Sequence, residues 1–289
     1  MTEQRADATR LLVGSLGLGA MGGPIAGHLL DAGFPVVVHD LDRAAVEEAT
    51  ARGATGAGSA VELGARSDVV VVIVPSDDDV LVACTGDDGV LSGMRSGGVL
   101  LISASVRPET CEKVAAAAPD DVTVLDAALT GGVRGAQEGS INLLVGGDAA
   151  ALDRVRPALA PWTSSVHHLG TLGAGQVGKT VNNLVHWAQI SVLAEALELG
   201  RRWGVSVPAM RRALMDGPTD SRTLRELERM RLTWHAKDLA NAMSMAEAVD
   251  WALPIGRTSQ EVMTSITVSR LVRLLHDGPL RDADGGQST

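Results

Sequence analysis

The feature that most constrains the fold is a glycine-rich turn between two apolar runs near the start of the chain. The run 11–16 leads into Gly17-Leu18-Gly19-Ala20-Met21-Gly22, and a helix-like segment follows over 24–30. A second apolar run, 35–39, ends at Asp40. Strand, glycine turn, helix, strand and acid, in this order, predict a Rossmann-type unit that binds a dinucleotide at the turn.

Each part of this unit has a physical role. Gly17 permits the tight turn, Gly19 lets a pyrophosphate approach the backbone, and Gly22 allows close packing of helix on strand. The carboxylate of Asp40 can accept hydrogen bonds from the adenosine ribose and would repel a 2′-phosphate, which favours NAD over NADP. Arg43 keeps NADP open, because a nearby guanidinium could accept that phosphate. The alternative is a Rossmann-like turn without a cofactor.

The chain falls into two parts that differ in hydrophobic periodicity. Up to residue 172, short apolar runs alternate with helical segments, and unbroken aliphatic runs such as 68–74 are typical of buried parallel strands. From residue 173 onward, helical periodicity dominates. The predicted fold class is α/β, with an N-terminal Rossmann-type doubly wound sheet over 11–172 and an all-α C-terminal domain over 173–276. We expect flexible ends at 1–10 and 277–289.

The same periodicity predicts the individual elements. Further strands are expected at 99–103, 122–127, 142–146 and 165–168, and helices at 43–52, 108–117 and 149–159. The C-terminal part is expected to form helices at 178–203, 207–215, 223–231, 236–249 and 260–275. Residues 130–140 are expected to form a loop, because glycine and small polar residues are dense there.

Charge and composition narrow the class of partner. The formal net charge is −10, which opposes binding to nucleic acid or to an anionic membrane. No apolar run is long enough to span a bilayer, and the two cysteines have no metal-site spacing. We therefore expect a cytoplasmic enzyme with a small-molecule substrate. The apolar faces of the C-terminal helices predict a homodimer or homotetramer.

Two segments carry candidate reactive groups. Lys179 and Asn183 follow a glycine turn and project from one face of a predicted helix, so an amine and an amide could handle a carbonyl oxygen and its proton. The alternative is a surface lysine beside a polar helix cap. Amides around Thr130, Gly131 and Gly132 could form an anion-binding concavity for a carboxylate, or only an ordinary tight turn.

The carboxyl end of the run 68–74 is a further candidate region, because ligands of parallel sheets bind at that edge. Val74 and Pro75 lie there, and three aspartates, Asp77-Asp78-Asp79, follow. We interpret the aspartates as the charged first turn of the next helix rather than as metal ligands, since no His or Glu joins them.

Four blocks in order along the chain together resemble the β-hydroxyacid dehydrogenase family. They are 17–22, which matches GLGxMG; 126–132, which is close to DAPVSGG; 175–183, which matches GxxGKxxNN; and Lys237-Asp238-Leu239, which matches KDL. The resemblance extends from about residue 12 to residue 275. Four ordered blocks make a chance agreement improbable.

The resemblance implies roles for particular residues. Lys179 would be the catalytic acid–base and Asn183 would orient the substrate oxygen or the lysine. Thr130, Gly131 and Gly132 would hold the substrate carboxylate, Lys237 would add positive charge for substrate or cofactor, and no metal would be needed. Cofactor contacts are implied at the turn 17–22, at Asp40, at Val74 and Pro75, and at Ser105 and Lys237.

The chain departs from the family pattern in three places. Thr130 replaces the usual serine, and Ile102 and Ala104 replace the aspartate and first hydroxyl of the DxSTxxP segment. His186 and Trp187 follow Asn183 on the same predicted helix face, where bulky groups are unexpected for a very small substrate. Trp187 could line the substrate pocket or belong to the core, and both readings stay open.

Three functions remain for testing. The first is an NAD-dependent oxidoreductase that interconverts a small β-hydroxy acid and its semialdehyde or keto acid. The second is an imine reductase on the same architecture, against which the presence of Lys179 argues. The third is a non-catalytic NAD-binding protein, which would not need Lys179, Asn183 and the carboxylate loop together.

Overall fold

The computed structural model describes residues 10–280. The chain divides into two compact units between Lys179 and Thr180. Of the ends predicted to be flexible, residues 1–9 and 281–289 lie outside the described residues. The predicted domain limits, 11–172 and 173–276, stay predictions.

The first unit is built on one eight-stranded sheet. Its strand order is β3-β2-β1-β4-β5-β6-β7-β8, and every neighbouring pair is parallel except β6 and β7. The order runs outward in both directions from β1, as in doubly wound folds. The strands are β1 (Val13–Leu16), β2 (Val36–His39), β3 (Thr55–Gly56), β4 (Val69–Val72), β5 (Val99–Ile102), β6 (Thr123–Thr130), β7 (Ile141–Gly146) and β8 (Thr163–Gly170).

Helices connect these strands and bury both faces of the sheet. The helices of this unit are α1 (Gly22–Asp31), α2 (Arg43–Ala51), α3 (Ala60–Ala65), α4 (Asp77–Cys84), α5 (Val90–Gly93), α6 (Pro108–Ala116), α7 (Gly132–Glu138) and α8 (Ala149–Leu159). One core includes Ile25, Val71 and Trp162, and the other includes Leu63, Val72 and Cys111. The central strands β4 and β5 are covered on both sides and are aliphatic throughout, as their sequence indicated, whereas the edge strand β8 is polar and half-buried to exposed.

The second unit contains only helices among its described residues. A long helix, α9 (Ala174–Arg202), runs across the division between the units. It is followed by α10 (Val207–Met215), α11 (Arg222–Arg225), a short 3-10 turn (Leu227–Arg229), α12 (His235–Ala248), α13 (Pro254–Met263) and α14 (Val268–Leu275). Their core is aliphatic around Ile190, Leu197 and Leu239, and it includes Trp187.

Three predicted segments differ from the structure. The expected helix 223–231 is the short helix α11 followed by the 3-10 turn. The expected loop 130–140 contains α7, which begins after Gly131 with φ of 114° and ends at Gly139 with φ of 65°. The expected helix 260–275 is two helices, because the Thr267 side chain accepts a hydrogen bond from the Arg270 amide and so caps a new start. The short elements β3, α3 and α5 were not predicted.

The predicted fold class is confirmed: a mostly parallel, doubly wound sheet precedes a helical unit. The three aspartates lie in the first turn of α4, as expected, and Ser76 caps that helix. Among the described residues, no helix combines the length and apolar character needed to cross a bilayer.

Candidate active site

The glycine turn lies where β1 passes into α1, and its glycines are required by close backbone contacts. Gly17 has φ of 94°, and a Cβ there would collide with the carbonyl oxygen of Ile73. A Cβ at Gly22 would collide with the carbonyl oxygen of Gly17. A Cβ at Gly19 would meet no atom within 4 Å, so that stretch of backbone is open to a ligand. The turn therefore fits a pyrophosphate, as the sequence predicted.

Asp40 follows β2 and is held against this turn. Its Oδ2 accepts a hydrogen bond from the Leu18 amide at 2.6 Å, and its Oδ1 accepts one from the Asp42 amide at 2.8 Å. Each carboxylate oxygen has a further lone pair, so both can still accept from ribose hydroxyls. The turn and the acid thus form one continuous candidate surface for the adenosine half of a dinucleotide.

The ends of β4 and β5 lie at the same edge of the sheet as this turn. Val74 and Pro75 lie two and three residues beyond Val72, the last residue of β4, which pairs with Leu16 of β1. Ser105 is exposed, although Ala104 and Val106 on either side of it are buried. These positions are open at the carboxyl edge, where ligands of parallel sheets bind.

The predicted carboxylate loop is anchored by a polar ladder across three strands. The Thr130 hydroxyl donates to the Asn142 carbonyl oxygen at 2.9 Å and accepts from Asn142 Nδ2 at 2.9 Å. The Ser165 hydroxyl donates to Asn142 Oδ1 at 2.7 Å. The hydroxyl proton of Thr130 is therefore engaged within the protein. Gly131 and Gly132 are exposed, and their amides lie at the start of α7, where no carbonyl of that helix can accept from them.

Asp126 fixes the start of α9. Its carboxylate is fully buried in β6 and accepts hydrogen bonds from the amides of Gly173 at 2.6 Å and Gln176 at 2.7 Å. Burial raises the pKa of this carboxyl, and the two amide bonds act in the opposite direction. The roles of Asp126 and Gln176 could not be predicted from sequence, because their partners are distant along the chain.

Lys179 lies on α9, three residues beyond Gln176. Register places Asp126 level with Ile102, Val72 and Leu16, in one row across four neighbouring strands. Leu16 is the last residue before the glycine turn, so the turn and the first turn of α9 begin at the same edge of the sheet. The first unit therefore brings a lysine-bearing helix start and a dinucleotide turn to one edge.

The other predicted residues lie in the second unit. Asn183 is half-buried on α9, and its Oδ1 accepts from Asn182 Nδ2 at 3.2 Å. Lys237 is exposed on α12. Trp187 is only 4% exposed, and its indole N–H donates to Asp238 Oδ2 at 3.0 Å. The indole thus packs in the helical core and holds the residue next to Lys237.

The fold and the turn define a dinucleotide-binding protein of the Rossmann class with a helical second unit. Residues 12–170 match the family described as the NAD binding domain of 6-phosphogluconate dehydrogenase. Residues 173–272 match the family described as NAD-binding of NADP-dependent 3-hydroxyisobutyrate dehydrogenase. The chain belongs to the β-hydroxyacid dehydrogenase family.

Individual relatives agree with this assignment. The chain is 41% identical over 191 residues to the 3-hydroxyisobutyrate dehydrogenase of Pseudomonas aeruginosa, a match that spans 66% of this chain and 64% of that protein. It is 32% identical to the NAD-dependent L-serine dehydrogenase of the same organism, over 88% of this chain and 76% of the relative. The structure of Mycobacterium tuberculosis 3-hydroxyisobutyrate dehydrogenase with L-serine superposes with a TM-score of 0.80 at 26% identity, covering 94% and 97% of the two chains. The predicted family is confirmed, and the match spans just under two thirds of the length of the Pseudomonas aeruginosa 3-hydroxyisobutyrate dehydrogenase.

Proposed function

We propose that this chain is an NAD-dependent dehydrogenase that interconverts a small β-hydroxy acid and its semialdehyde or keto acid. The observation that carries the proposal is the shared sheet edge of the glycine turn and the start of α9, which bears Lys179. In this proposal, residues 11–172 bind the cofactor, and residues 173–276 supply substrate and subunit contacts.

Lys179 is the proposed acid–base. When bound, NAD would accept a hydride from the hydroxy acid, and NADH would donate one in the reverse direction. In the reducing direction the Lys179 ammonium gives a proton to the carbonyl oxygen of the substrate. In the oxidising direction the neutral amine takes the proton of the hydroxyl group. Asn183 is proposed to orient the substrate oxygen or the lysine.

The carboxylate of the substrate is proposed to bind at Thr130, Gly131 and Gly132. The two glycine amides are the better donors, because the Thr130 hydroxyl would have to leave the Asn142 carbonyl to reach a ligand. Lys237 adds positive charge for substrate or cofactor. Burial of Trp187 supports an indirect part for its ring, through Asp238, in place of direct substrate contact.

The proposed cofactor contacts are those of the first unit together with Lys237. The turn Gly17-Leu18-Gly19-Ala20-Met21-Gly22 would bind the pyrophosphate and Asp40 the ribose. Val74, Pro75 and Ser105 would flank the nicotinamide half. The open backbone at Gly19 and the anchored carboxylate of Asp40 support this assignment.

A second copy of the chain is the proposed partner. On α9, the side chains of Val181, Val185, Val192 and Leu199 are 51% to 59% exposed, and Trp203, directly after the helix, is 82% exposed. At about 100° per residue they occupy one stripe roughly 40° wide along the helix. A continuous exposed apolar stripe of this kind is typical of a helix that packs on another helix.

The names of the relatives define the substrate panel for the test. NADH absorbance would be followed with 3-hydroxyisobutyrate, L-serine and 2-hydroxy-3-oxopropionate, each with NAD or NADH as the direction requires. We expect turnover of at least one of these acids. Turnover of cyclic imines alone would support the imine reductase, and NAD binding without any turnover would support a non-catalytic protein.

A further inference from the structure

The side chain of Gln176 joins the first turn of α9 to the segment that follows β5. Gln176 is 1% exposed. Its Oε1 accepts a hydrogen bond from the Val106 amide at 3.2 Å, and its Nε2 donates to the Ala104 carbonyl oxygen at 2.8 Å. One buried amide thus holds the backbone on both sides of Ser105, which is itself exposed.

The same residue is fixed from the other side by Asp126. The backbone amide of Gln176 donates to Asp126 Oδ2 at 2.7 Å, and the Gly173 amide donates to Oδ1 at 2.6 Å. Asp126 therefore anchors the start of the helix to β6, while the Gln176 side chain anchors the segment after β5 to the helix. A Cβ at Gly175 would press on Asp126 and on the Leu144 carbonyl oxygen, so the backbone has little room to shift.

Lys179 follows Gln176 by three residues, so the two side chains leave α9 on neighbouring positions of one face. The buried amide therefore connects the backbone at Ser105 with the helical turn that presents Lys179. Both belong to the first unit. Displacement of either segment would change the spacing between the lysine and the groups that flank the nicotinamide.

We propose that Gln176 is a positioning residue for hydride transfer: its amide sets the distance between Lys179 and the exposed Ser105. The inference rests on the proposed function. Gln176 touches neither substrate nor cofactor in this account, and it acts only through the two backbone segments that it joins. Its removal should lower the rate of the chemical step more than it lowers affinity.

Two variants and one matched control test this inference. Gln176→Met keeps the length of the side chain but loses both hydrogen bonds, and Gln176→Asn keeps the amide but is one methylene too short to reach both partners. Gln176→Asn is the milder change and reports on the inference if Gln176→Met does not fold. Ser67→Ala is the control, because the Ser67 hydroxyl is also buried and donates to a backbone carbonyl, that of Leu63, in the segment that leads into β4.

Three quantities would be measured on the full chain. Amide exchange at residues 103–107 of the cofactor-free protein reports on the bridge itself. Steady-state turnover gives kcat and KM, and the primary isotope effect with cofactor deuterated at the transferring position shows whether hydride transfer limits the rate. A purely structural role would not change the isotope effect.

For both Gln176 variants we expect exchange at Val106 to be about tenfold faster and kcat to fall roughly tenfold to a hundredfold. KM should stay within about twofold, the isotope effect should rise, and Ser67→Ala should change neither kcat nor the isotope effect. Unchanged kcat in an active protein, or a fall in kcat without a rise in the isotope effect, would overturn the inference alone. A wild-type protein that binds NAD but turns over no hydroxy acid would refute the proposed function and the positioning role together.

Discussion

Asp40 combines two tasks that can be separated by substitution. Its carboxylate anchors the Leu18 amide of the glycine turn and is proposed to accept from the ribose. Asp40→Ser removes the charge that repels a 2′-phosphate, so the ratio of kcat/KM with NADP to that with NAD should rise roughly tenfold or more. Initial rates with both cofactors measure this ratio.

The control for this prediction lies two residues further on. Asp42 caps α2 by accepting from the Ala44 amide, and it has no predicted contact with the cofactor. Asp42→Asn removes one negative charge two residues from Asp40. It should leave the ratio of kcat/KM with NADP to that with NAD unchanged. If the wild-type protein already used NADP as well as NAD, the account of Asp40 would be wrong.

The two thiols are expected to be inert in the folded protein. Burial raises the pKa of Cys84 to about 12 and raises that of Cys111 further, with the carboxylates of Asp126 and Asp77 contributing at Cys111. Thiolate is the reactive form, so a disulfide reagent at pH 8 should label neither thiol in the native state and both after denaturation. Rapid labelling of the native protein would contradict the described packing.

At the scale of residues, the sequence was enough to predict residues whose role depends on nearby parts of the chain, such as the glycines of the turn. Glycine is required at positions 17 and 22, because a Cβ there would collide with the carbonyl oxygen of Ile73 or of Gly17. Gln176 could not be found in this way, because its partners lie about 70 residues away. The bond of Thr130 to Asn142 depends on strand register, which a single sequence does not reveal.

At the scale of elements, α9 is stabilised near its end by Glu198. This carboxylate is bonded to the guanidinium groups of Arg201 and Arg202, each at 2.8 Å, and to the Leu280 amide at 3.2 Å. The bond from Arg201 contributes most, and together these groups hold the pKa of Glu198 at about 2, below its ordinary 4.5. Because the folded-state pKa is lowered, the stabilisation is present above pH 4.5 and is lost as the pH falls toward 2.

Glu198→Gln should therefore destabilise the protein at neutral pH, by about 2 kcal/mol. Urea unfolding at several pH values would show a difference from wild type that is constant above pH 5 and shrinks in acid. Glu195→Gln is the control, since Glu195 is exposed on the same helix. A difference that did not depend on pH would refute the electrostatic explanation.

Element boundaries were predicted less well than element types. The segment 130–140 is rich in glycine, which is typical of loops, yet Gly131 and Gly139 lie on either side of a helical segment and allow it to start and stop. The apolar period of 260–275 continues across two helices, so periodicity alone missed the cap at Thr267. Tertiary packing and capping decided both cases.

At the scale of the whole molecule, the alternation of apolar runs and helical segments was enough to predict the fold class. Each buried parallel strand needs a crossover helix, so the order of elements leaves few topologies. The antiparallel pair β6 and β7 was not predicted, because the direction in which two strands pair depends on long-range contacts that a single sequence does not reveal.

The apolar stripe on α9 predicts how copies of the chain associate. Val192→Asp places a charge in the middle of the stripe and should shift the protein from the mass of two chains toward that of one in sedimentation velocity. Val82→Asp is the matched control, because Val82 is 78% exposed on α4 and is not part of the stripe. A wild-type protein that sediments as one chain would refute the proposed homodimer.

The central claim is that Lys179 carries the proton in an NAD-linked oxidation of a hydroxy acid. The most direct measurement compares turnover of the best hydroxy acid by wild type, Lys179→Met and the exposed-lysine control Lys113→Met, with NADH affinity measured on the same samples by fluorescence. The account predicts that Lys179→Met loses roughly a thousandfold in kcat, while its affinity for NADH stays within about twofold and Lys113→Met behaves as wild type. If Lys179→Met retained kcat within about twofold of wild type, Lys179 would not be the acid–base and the account would be contradicted.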